Sequence, residues 1–488
     1  MAGMADMKNR KKDVLRKVFG YDSFRTGQEE IVDNILLGRD VCGIMPTGAG
    51  KSICYQLPAL LLPGITIVVS PLISLMIDQV KALNEAGVHA AYINSALTEN
   101  QITKALCNAM CGRYKIVYVA PERLETNRFL EFVLNADISM ITIDEAHCIS
   151  QWGQDFRPSY LKIVNLIKML PKRPVVSAFT ATATQAVKDD IVCVLGLNNP
   201  FIKVTGFDRS NLYFEVRQPN NKDAEVLNYV LSHRDDSGII YCATRKNVDK
   251  VYTMLAKNGI AVTRYHAGLD NDMRKANQED FIYDEKPVIV ATNAFGMGID
   301  KSNVRYVLHY NMPQCIENYY QEAGRAGRDG EPAECILLFS PQDVIINEFL
   351  IENKGENNEF TEEERKAVHD NDIRRLKKMR YYCSTKECLR EYMLNYFGEY
   401  SGKDDCGNCS NCSAVFEEKD VTNTASVIIK TIKECHERFR ADKIIEDYMA
   451  KHPEIDGVKT TGFEILADGW RNWALLNPVQ NLLGAGND

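Results

Sequence analysis

VCGIMPTGAGKSICYQLPALL, residues 41–61, joins three kinds of sequence without a gap. VCGIM (41–45) is apolar and has the length of a buried strand. PTGAGKS (46–52) is a turn with two glycines, and an apolar stretch of helical length follows it. A strand, a tight turn and a helix in this order predict the first unit of an alternating α/β fold.

Short apolar runs of the same kind recur through the first 340 residues, with polar segments of helical length between them. The first series comprises VCGIM (41–45), ITIVVS (65–70), KIVYVA (115–120), MITID (140–144) and VVSAFTA (175–181). The second series comprises GIIYCAT (238–244), VTRYHA (262–267), PVIVAT (287–292), VRYVLHY (304–310) and ECILLFS (334–340). This repetition predicts two parallel sheets covered by helices, with a link between them near residues 205–215.

The composition is ordinary for a globular protein, with 45% hydrophobic and 25% charged residues in a chain of 488. The net charge of −8 excludes a globally basic nucleic-acid binder, so any polyanion would need locally basic surface. The N-terminal segment MAGMADMKNRKKDVLRKVFG has no apolar signal sequence, which argues against an extracellular disulfide scaffold. Residues 52–77 carry no charge, but Pro58, Pro63 and Pro71 interrupt them, so we expect no membrane span.

The glycine turn PTGAGKS is suited to hold a phosphate group. Backbone N–H groups and the helix dipole attract an anion at a helix N-terminus, so Thr47, Gly48 and Gly50 are candidate binding residues. Lys51 would reach the outer phosphates of a nucleotide, and the Ser52 hydroxyl would hold Mg²⁺. The strict pattern has glycine where this chain has Met45, so an incidental glycine turn is the alternative.

ITIDEAHCISQWGQDFRPSY (141–160) passes from an apolar strand directly into an acidic cluster. Asp144 ends the strand, where a buried carboxylate needs a cation or a donor, and Mg²⁺ bound through Ser52 would be such a partner. Glu145 would then orient and activate an attacking water. The alternative is a structural Asp–Glu pair at the end of a strand.

A third cluster lies in YYQEAGRAGRDG (319–330), at the end of the second series. Arg325 and Arg328 are three residues apart, so both can point the same way. An arginine delivered across a cleft stabilises the charge on a transferring phosphoryl group. A solvated basic face is the alternative.

These segments together resemble the ordered motifs of superfamily 2 helicases. The motifs are PTGAGKS, SPLISLMIDQV (70–80), DEAH (144–147), FTATAT (179–184), ATNAFGMGIDK (291–301) and QEAGRAGRDG (321–330). FGYDSFRTGQ (19–28) and AHCISQWGQDFRPSY (146–160) resemble the adenine-reading element and the aromatic-rich loop of the RecQ family of DNA helicases. The resemblance covers residues 10–412 approximately, and it implies ATP-dependent 3′→5′ movement on DNA in repair and recombination.

The resemblance also implies roles for individual residues. Those expected at the adenine and the ribose are Tyr21, Arg25, Gln28 and Asp300. Gln321 joins Lys51, Asp144, Glu145, Arg325 and Arg328 as a catalytic candidate, with the two arginines at the γ-phosphate. Those expected to couple single-stranded DNA to hydrolysis are His147, Trp152, Phe156 and Arg157. Aromatic faces stack on bases of any sequence; the alternative is that Trp152 and Phe156 are plain core residues.

Four cysteines have the spacing of a metal site. CGNCSNC provides Cys406, Cys409 and Cys412, and Cys388 lies upstream of them. Four thiolates suit tetrahedral, structural zinc. Cys383 is a rival fourth ligand, and the resemblance favours Cys388 because the family's helical ligand precedes LNYFGE.

A basic stretch adjoins the cysteines and is a candidate for local DNA-binding surface. Its members are Arg374, Arg375, Lys377, Lys378, Arg380, Lys386 and Arg390. A solvated helix face is the alternative for some of them.

The sequence therefore predicts an α/β protein with two tandem RecA-like parallel-sheet lobes, a helical zinc-binding module and a partial winged-helix region. The predicted boundaries are 1–206, 207–342, 343–415 and 416–488. The expected cofactors are ATP, Mg²⁺ and Zn²⁺, and the expected partner is single-stranded and partly duplex DNA. We expect a monomer in the cytoplasm, associated with the nucleoid if the source is bacterial. The alternatives are a DNA-stimulated ATPase that unwinds poorly because its winged helix is incomplete, and an RNA helicase.

Overall fold

The computed structural model of the protein describes residues 2–295, 301–353, 360–400, 402–403 and 405–414, with side chains from residue 9 onward. The chain divides into two units, Met1–Cys412 and Ser413–Asp488, and the architecture below is that of the first. The winged-helix region predicted at 416–488 lies outside the described residues.

Seven parallel strands form the first sheet, in the order β3-β4-β2-β5-β6-β1-β7. They are β1 (Val41–Ile44), β2 (Ile65–Val69), β3 (Ala90–Ile93), β4 (Ile116–Val119), β5 (Ile138–Ile143), β6 (Val175–Thr180) and β7 (Phe201–Val204). The central strands β1, β2 and β4 are buried along their whole length, as continuous apolar runs in a doubly covered parallel sheet should be.

Helices cover this sheet on both faces. They are α1 (Ala2–Phe19), α2 (Gln28–Leu36), α3 (Lys51–Leu61), α4 (Ile73–Glu85), α5 (Glu99–Met110), α6 (Asn127–Asn135), α7 (Lys162–Met169) and α8 (Gln185–Val194). Short 3-10 helices occupy Pro121–Arg123, Ala146–Ile149 and Pro158–Leu161. Helix α5 begins at a capping signal that is visible in the sequence, because Thr98 and Gln101 form a reciprocal capping box.

The second sheet has six parallel strands in the order β10-β11-β9-β12-β13-β8. They are β8 (Leu212–Arg217), β9 (Ser237–Tyr241), β10 (Val262–Tyr265), β11 (Val288–Ala291), β12 (Val304–His309) and β13 (Ala333–Leu338). Its helices are α9 (Lys222–Ser232), α10 (Arg245–Lys257), α11 (Asn271–Ile282) and α12 (Ile316–Ala323).

A helical module follows the second sheet. Its helices are α13 (Pro341–Glu352), α14 (Glu362–Ser384), α15 (Leu389–Tyr396) and the single turn α16 (Ser410–Ser413). A bridge between Cys409 and Phe214 joins the module to β8. Among the described residues, no helix has the length and apolar character that crossing a bilayer requires.

The predicted fold class is confirmed: two parallel-sheet RecA-like lobes precede a helical region. The prediction missed β3, β7 and β8. The link predicted near residues 205–215 is shorter than expected and comprises residues 205–211, because β7 ends at Val204 and β8 begins at Leu212. β7 and β8 are edge strands with alternating or partial exposure, so they lack the continuous apolar run that marks the central strands.

Candidate functional site

Three motifs meet at one edge of the first sheet because their strands are neighbours. The phosphate-loop segment follows β1, the residues FTATAT overlap the end of β6, and the acids Asp144 and Glu145 follow β5. β1 pairs with β6, and β6 pairs with β5, all in parallel. The carboxyl ends of the three strands therefore form a single crevice, which is where open α/β sheets bind ligands.

The glycine turn favours residues that lack a side chain. Gly48 and Gly50 have φ values of 85° and 79°, in the region that favours glycine. A Cβ on Gly48 would lie 3.4 Å from Cγ of Arg328, and one on Gly50 would lie 2.5 Å from Nε2 of Gln28. The turn and the first residues of α3 therefore present backbone amides to the crevice, and the residues present are suited to hold phosphate.

Lys51 opens α3 and lies among the acids. Its Nζ donates to the carbonyl of Met45 at 3.1 Å. Burial lowers the pKa of Lys51, whereas the charges of Glu145 and Asp144 act to raise it. The next residue, Ser52, is half-buried in the first turn of the same helix. Thr47 lies close to Gly324 of the second lobe. A Cβ added to Gly324 would be 3.7 Å from the Cβ of Thr47.

Asp144 is held rigidly at the end of β5. Its backbone N–H donates to Val69 at 2.9 Å, and its carbonyl accepts from the Tyr160 hydroxyl at 3.1 Å. The side chain is 6% exposed, and burial together with the charge of Glu145 raises the pKa of Asp144. A buried carboxylate of this kind gains most from a nearby cation, which is the environment expected of a Mg²⁺ ligand.

Glu145 and His147, which follow Asp144 in the chain, form a close pair. His147 Nδ1 lies 3.3 Å from Glu145 Oε2 and 2.9 Å from the Thr180 hydroxyl. Burial alone would raise the pKa of Glu145, but the hydrogen bond and charge of His147, with Lys51 and Arg325, lower it. Burial opposes the charged form of His147, yet Cys148 and Glu145 raise its pKa well above the usual value. The Glu145 carboxylate is thus kept ionised and able to accept a proton.

Residues of the second lobe face the phosphate-loop segment. Arg325 is 7% exposed, and its charge acts on Glu145. Arg328 lies against Gly48, and its charge acts on Lys51. The structure therefore brings both arginines to the same crevice as Lys51 and the acids.

The segment resembling an adenine-reading element donates hydrogen bonds to the glycine turn. Gln28 Nε2 donates to the carbonyls of Ala49 and Gly50, each at 3.1 Å, and its Oε1 accepts from the Arg25 N–H at 2.8 Å. The Arg25 guanidinium donates to the carbonyl of Gly48. Tyr21 is 46% exposed. The predicted ribose contact, Asp300, lies outside the described residues.

The aromatic-rich loop has one exposed aromatic side chain, Trp152, and two buried ones, Phe156 and Tyr160. Trp152 is 50% exposed, and the Arg374 guanidinium lies 5.9 Å from its ring centroid. Phe156 is only 8% exposed and packs 5.7 Å from the ring of Phe360. Trp152 is thus available to a base as it stands, whereas Phe156 is covered by the helical module.

Arg157 links the aromatic-rich loop to the rest of the first lobe. Its guanidinium pairs with Asp155 at 2.7 Å and donates to the carbonyl of Pro71 at 3.2 Å. It therefore ties the loop to the segment SPLISLMIDQV.

A polar path that sequence reasoning missed connects the loop with the acids. Thr180 Oγ1, the partner of His147, donates to the Thr182 carbonyl at 3.1 Å. The Thr182 hydroxyl donates to Gln154 Oε1 at 3.1 Å and accepts from Gln321 Nε2 at 3.0 Å. The alternating threonines of FTATAT were the available signal. The path joins the aromatic-rich loop, the acids and the second lobe.

Four thiols form the metal-binding group found among the described residues. The Sγ atoms of Cys388, Cys406, Cys409 and Cys412 all lie within 4.8 Å of one another. The separations include 3.9 Å for Cys406–Cys412 and Cys388–Cys409, and 3.4 Å for Cys409–Cys412. Tetrahedral zinc with Zn–S bonds of about 2.3 Å needs sulfurs about 3.8 Å apart. The cluster suits zinc, and the rival Cys383 is buried but is not one of its four thiols.

The basic stretch before the cysteines divides into surface and buried residues. Arg375 is 7% exposed, pairs with Asp372 at 3.2 Å and donates to the Gly153 carbonyl at 2.6 Å. Arg390 is 5% exposed and pairs with Asp208 at 2.7 Å. These two arginines therefore hold segments that are distant in sequence, rather than forming the basic surface that the sequence suggested.

Comparison with known proteins agrees with this arrangement. Residues 25–190 match the DEAD/DEAH box helicase family, 221–330 the helicase conserved C-terminal domain, and 341–413 the RecQ zinc-binding domain. The chain is 48% identical to the ATP-dependent DNA helicase RecQ of Bacillus subtilis, covering 89% of this chain and 72% of that protein. It is also 39% identical to the putative ATP-dependent RNA helicase R290 of Acanthamoeba polyphaga mimivirus, over 86% of this chain and 77% of that protein.

The fold is also shared with solved helicases. The Mycobacterium smegmatis helicase Lhr bound to ssDNA and AMP-PNP superposes with a TM-score of 0.55 at 18% identity, over 70% of this chain and 49% of that one. At this identity the likeness concerns the fold alone. The sequence identity to the Bacillus protein and the match to the zinc-binding domain are more specific, and by them the chain belongs to the RecQ family of helicases.

Proposed function

We propose that this RecQ-family protein is an ATP-dependent DNA helicase that hydrolyses ATP between its two lobes and uses the cycle to move along single-stranded DNA. The observation that carries the proposal is the polar path from Glu145 through His147 and Thr180 to Thr182. Thr182 binds the aromatic-rich loop through Gln154 and the second lobe through Gln321. An ATPase that does not bind nucleic acid would have no need of a connection between a base-stacking loop and its catalytic acids.

The residues of the crevice divide the work of hydrolysis. The amides of the glycine turn and Lys51 hold the phosphates, and Gln28, Arg25 and Tyr21 bind the adenine. Ser52 and Asp144 are the candidates to hold Mg²⁺, which would neutralise phosphate charge when bound. Glu145 orients a water and accepts its proton, while Arg325 and Arg328 stabilise charge on the phosphoryl group as it leaves.

DNA controls this chemistry through the aromatic-rich loop. A base stacked on Trp152 would shift the loop, and Gln154 would transmit the shift to Thr182. Thr182 also binds Gln321, so the same movement adjusts the second lobe against the acids. Closure of the lobes on ATP and their opening after hydrolysis would then advance the protein along one strand.

The zinc cluster stabilises the helical module, and we propose a monomer that acts on DNA in the cytoplasm.

A strand-displacement assay tests the proposal and its nearest alternative. Partial duplexes of DNA and of RNA, each with a 3′ or a 5′ single-stranded tail, are compared at equal concentration. We expect ATP-dependent displacement of DNA with a 3′ tail, and no displacement by Glu145→Gln. The mimivirus relative is described as a putative RNA helicase, so preferential displacement of RNA would favour the alternative. ATPase stimulation by single-stranded DNA without displacement of any duplex would reduce the protein to a DNA-stimulated ATPase.

A further inference from the structure

The segment that joins the two sheets is packed on both sides. It runs from the end of β7 at Val204 to the start of β8 at Leu212. Phe207 is 3% exposed, and its ring stacks on Phe397 with centroids 4.5 Å apart and an interplanar angle of 14°. Its carbonyl accepts from the Tyr320 hydroxyl of α12 at 2.7 Å. A connection between moving lobes would be expected on the surface, so this degree of packing calls for an explanation.

One side of the segment is held by residues adjacent to the zinc cluster. Arg390, two positions after Cys388, donates from Nη1 to Asp208 Oδ1 and to the Arg209 carbonyl, both at 2.7 Å. Asn408 lies between Cys406 and Cys409 in the chain. Its amide donates to the carbonyls of Ser210 and Leu212, both at 3.1 Å. Folding of the cysteine cluster thus fixes the backbone of the joining segment.

The other side of the segment holds the turn that carries the two arginines of the crevice. The Arg209 guanidinium donates to the carbonyls of Ala326 at 3.0 Å and Gly327 at 2.8 Å, with a longer contact to Gly324 at 3.4 Å. These three carbonyls lie in the turn between Gln321 and Arg328. Asn211 adds a hydrogen bond to the Gly327 carbonyl at 2.9 Å.

The chemistry of this contact favours a positioning role. A guanidinium presents its donors in a rigid planar fork, so binding several carbonyls at once fixes their relative geometry. A lysine ammonium at the same place would lack that fork. The held carbonyls belong to the residues flanking Arg325 and Arg328, so the orientation of both side chains depends on the position of Arg209.

We propose that Arg209 is a positioning residue for ATP hydrolysis, which sets Arg325 and Arg328 against the phosphate-loop segment and is itself set by the zinc module through Arg390 and Asn408. The proposal rests on the proposed function, because it requires that the crevice hydrolyse ATP. It gives the zinc module an influence on catalysis that does not depend on contact with DNA.

The size of the effect follows from the cost of misplacing a catalytic group. A displacement of about 1 Å can lower a rate about a hundredfold, and an arginine finger contributes about 10³–10⁵. Arg209→Ala is therefore expected to lower kcat of DNA-stimulated ATP hydrolysis at least about tenfold. KM for ATP should change little, because the glycine turn and Lys51 are untouched.

The experiment compares full-length variants in steady-state ATPase assays with saturating single-stranded DNA, alongside thermal melting and zinc content. Arg209→Lys should recover part of kcat, since one carbonyl bond can be remade. Arg217→Ala is the matched control: Arg217 is an ion-paired arginine on β8, bound to Glu215 and Glu225 at 2.8 Å, and its loss should leave kcat unchanged. Asn408→Ala should lower kcat with zinc content unchanged, and its effect should not add to that of Arg209→Ala.

Each outcome decides the matter. A lower kcat with unchanged KM, partial recovery in Arg209→Lys and non-additivity with Asn408→Ala support the proposal. An unchanged kcat in Arg209→Ala overturns it. So does a parallel loss of melting temperature, KM and kcat that Arg209→Lys does not relieve, because that pattern indicates a purely structural residue. Absence of ATPase activity in the unaltered protein would instead overturn the proposed function.

Discussion

Glu145 adopts a backbone conformation that residues with side chains rarely occupy, with φ 47° and ψ 49°. The left-handed region costs about 1–2 kcal/mol for such a residue. Two hydrogen bonds hold it there: the Glu145 N–H donates to Asp144 Oδ1 at 3.0 Å, and the Glu145 carbonyl accepts from Cys148 at 2.9 Å. The strain turns the carboxylate toward His147 and the crevice, which is typical of residues placed for function.

Glu145→Gln should separate binding from hydrolysis. The amide keeps the size of the side chain but cannot accept a proton from water. We expect ATP affinity to be near that of the unaltered protein and turnover to fall about 10²–10⁴-fold. A fluorescent-nucleotide binding assay and an ATPase assay measure the two quantities. Near-normal turnover with DNA present would remove Glu145 from the catalytic role.

Lys51→Ala should act first on binding. Lys51 contributes a charged contact to phosphate, and charge-assisted hydrogen bonds contribute about 1.5–3 kcal/mol. We expect the Kd for ATP to rise about ten- to a hundredfold, because about 1.4 kcal/mol corresponds to a factor of ten. Lys81→Ala is the control, since Lys81 is an exposed lysine paired with Glu85 on α4. Equal nucleotide affinity in the two variants would contradict the assignment of Lys51.

At the scale of elements, the aromatic-rich loop is attached to the helical module as well as to the first lobe. Asn371 of α14 donates to the Gln151 carbonyl at 3.2 Å, and Arg375 donates to the Gly153 carbonyl. The backbone of the loop is thus fixed on either side of Trp152. A loop held in this way can shift as a unit when a base stacks on Trp152, so the shift reaches Gln154 and Thr182.

Trp152→Ala should weaken the response to DNA and leave ATP binding intact. Stacking on an aromatic ring contributes about 1–3 kcal/mol per base, so affinity for single-stranded DNA should fall about tenfold. Basal hydrolysis should stay near normal, because Glu145 and His147 are untouched. Trp473→Ala replaces the same residue type outside the loop and serves as control. Stimulation by DNA that matches the unaltered protein would remove Trp152 from the coupling role.

The zinc cluster should determine whether the helical module folds. Cys409 is fully buried, and metal binding contributes directly to the folding free energy of such sites. We expect one zinc per chain, and Cys409→Ser should lose it and become sensitive to protease beyond about residue 340. Cys193→Ser, at an exposed thiol, should change neither property. Metal analysis and limited proteolysis are the measurements. A folded, zinc-free and active protein would refute the metal site.

At the scale of the whole molecule, the central strands could be predicted from the sequence because they are continuous apolar runs buried on both sides. The prediction missed β7 and β8 because edge strands keep polar residues such as Lys203, Glu215 and Arg217 on one face. The glycine turn and the acids could be found because their chemistry is local in the chain. The hydrogen bonds from Arg209 to Gly327 and from Arg375 to Gly153 could not, because each acceptor is a backbone carbonyl more than a hundred residues away. Every residue has a backbone carbonyl, so the sequence does not show which carbonyl accepts a given hydrogen bond.

The ATPase should be separable from the C-terminal residues. The crevice residues that the structure describes and the four zinc ligands lie within the unit Met1–Cys412, which holds its own hydrophobic core. A protein ending at residue 414 should therefore keep one zinc and DNA-stimulated ATP hydrolysis with kcat within about twofold of the full chain, because it retains every crevice residue and zinc ligand named above. Strand displacement measured in parallel then assigns any loss of unwinding to the residues removed. Loss of DNA-stimulated hydrolysis in a folded, zinc-loaded shortened protein would mean that the C-terminal residues act on the motor itself.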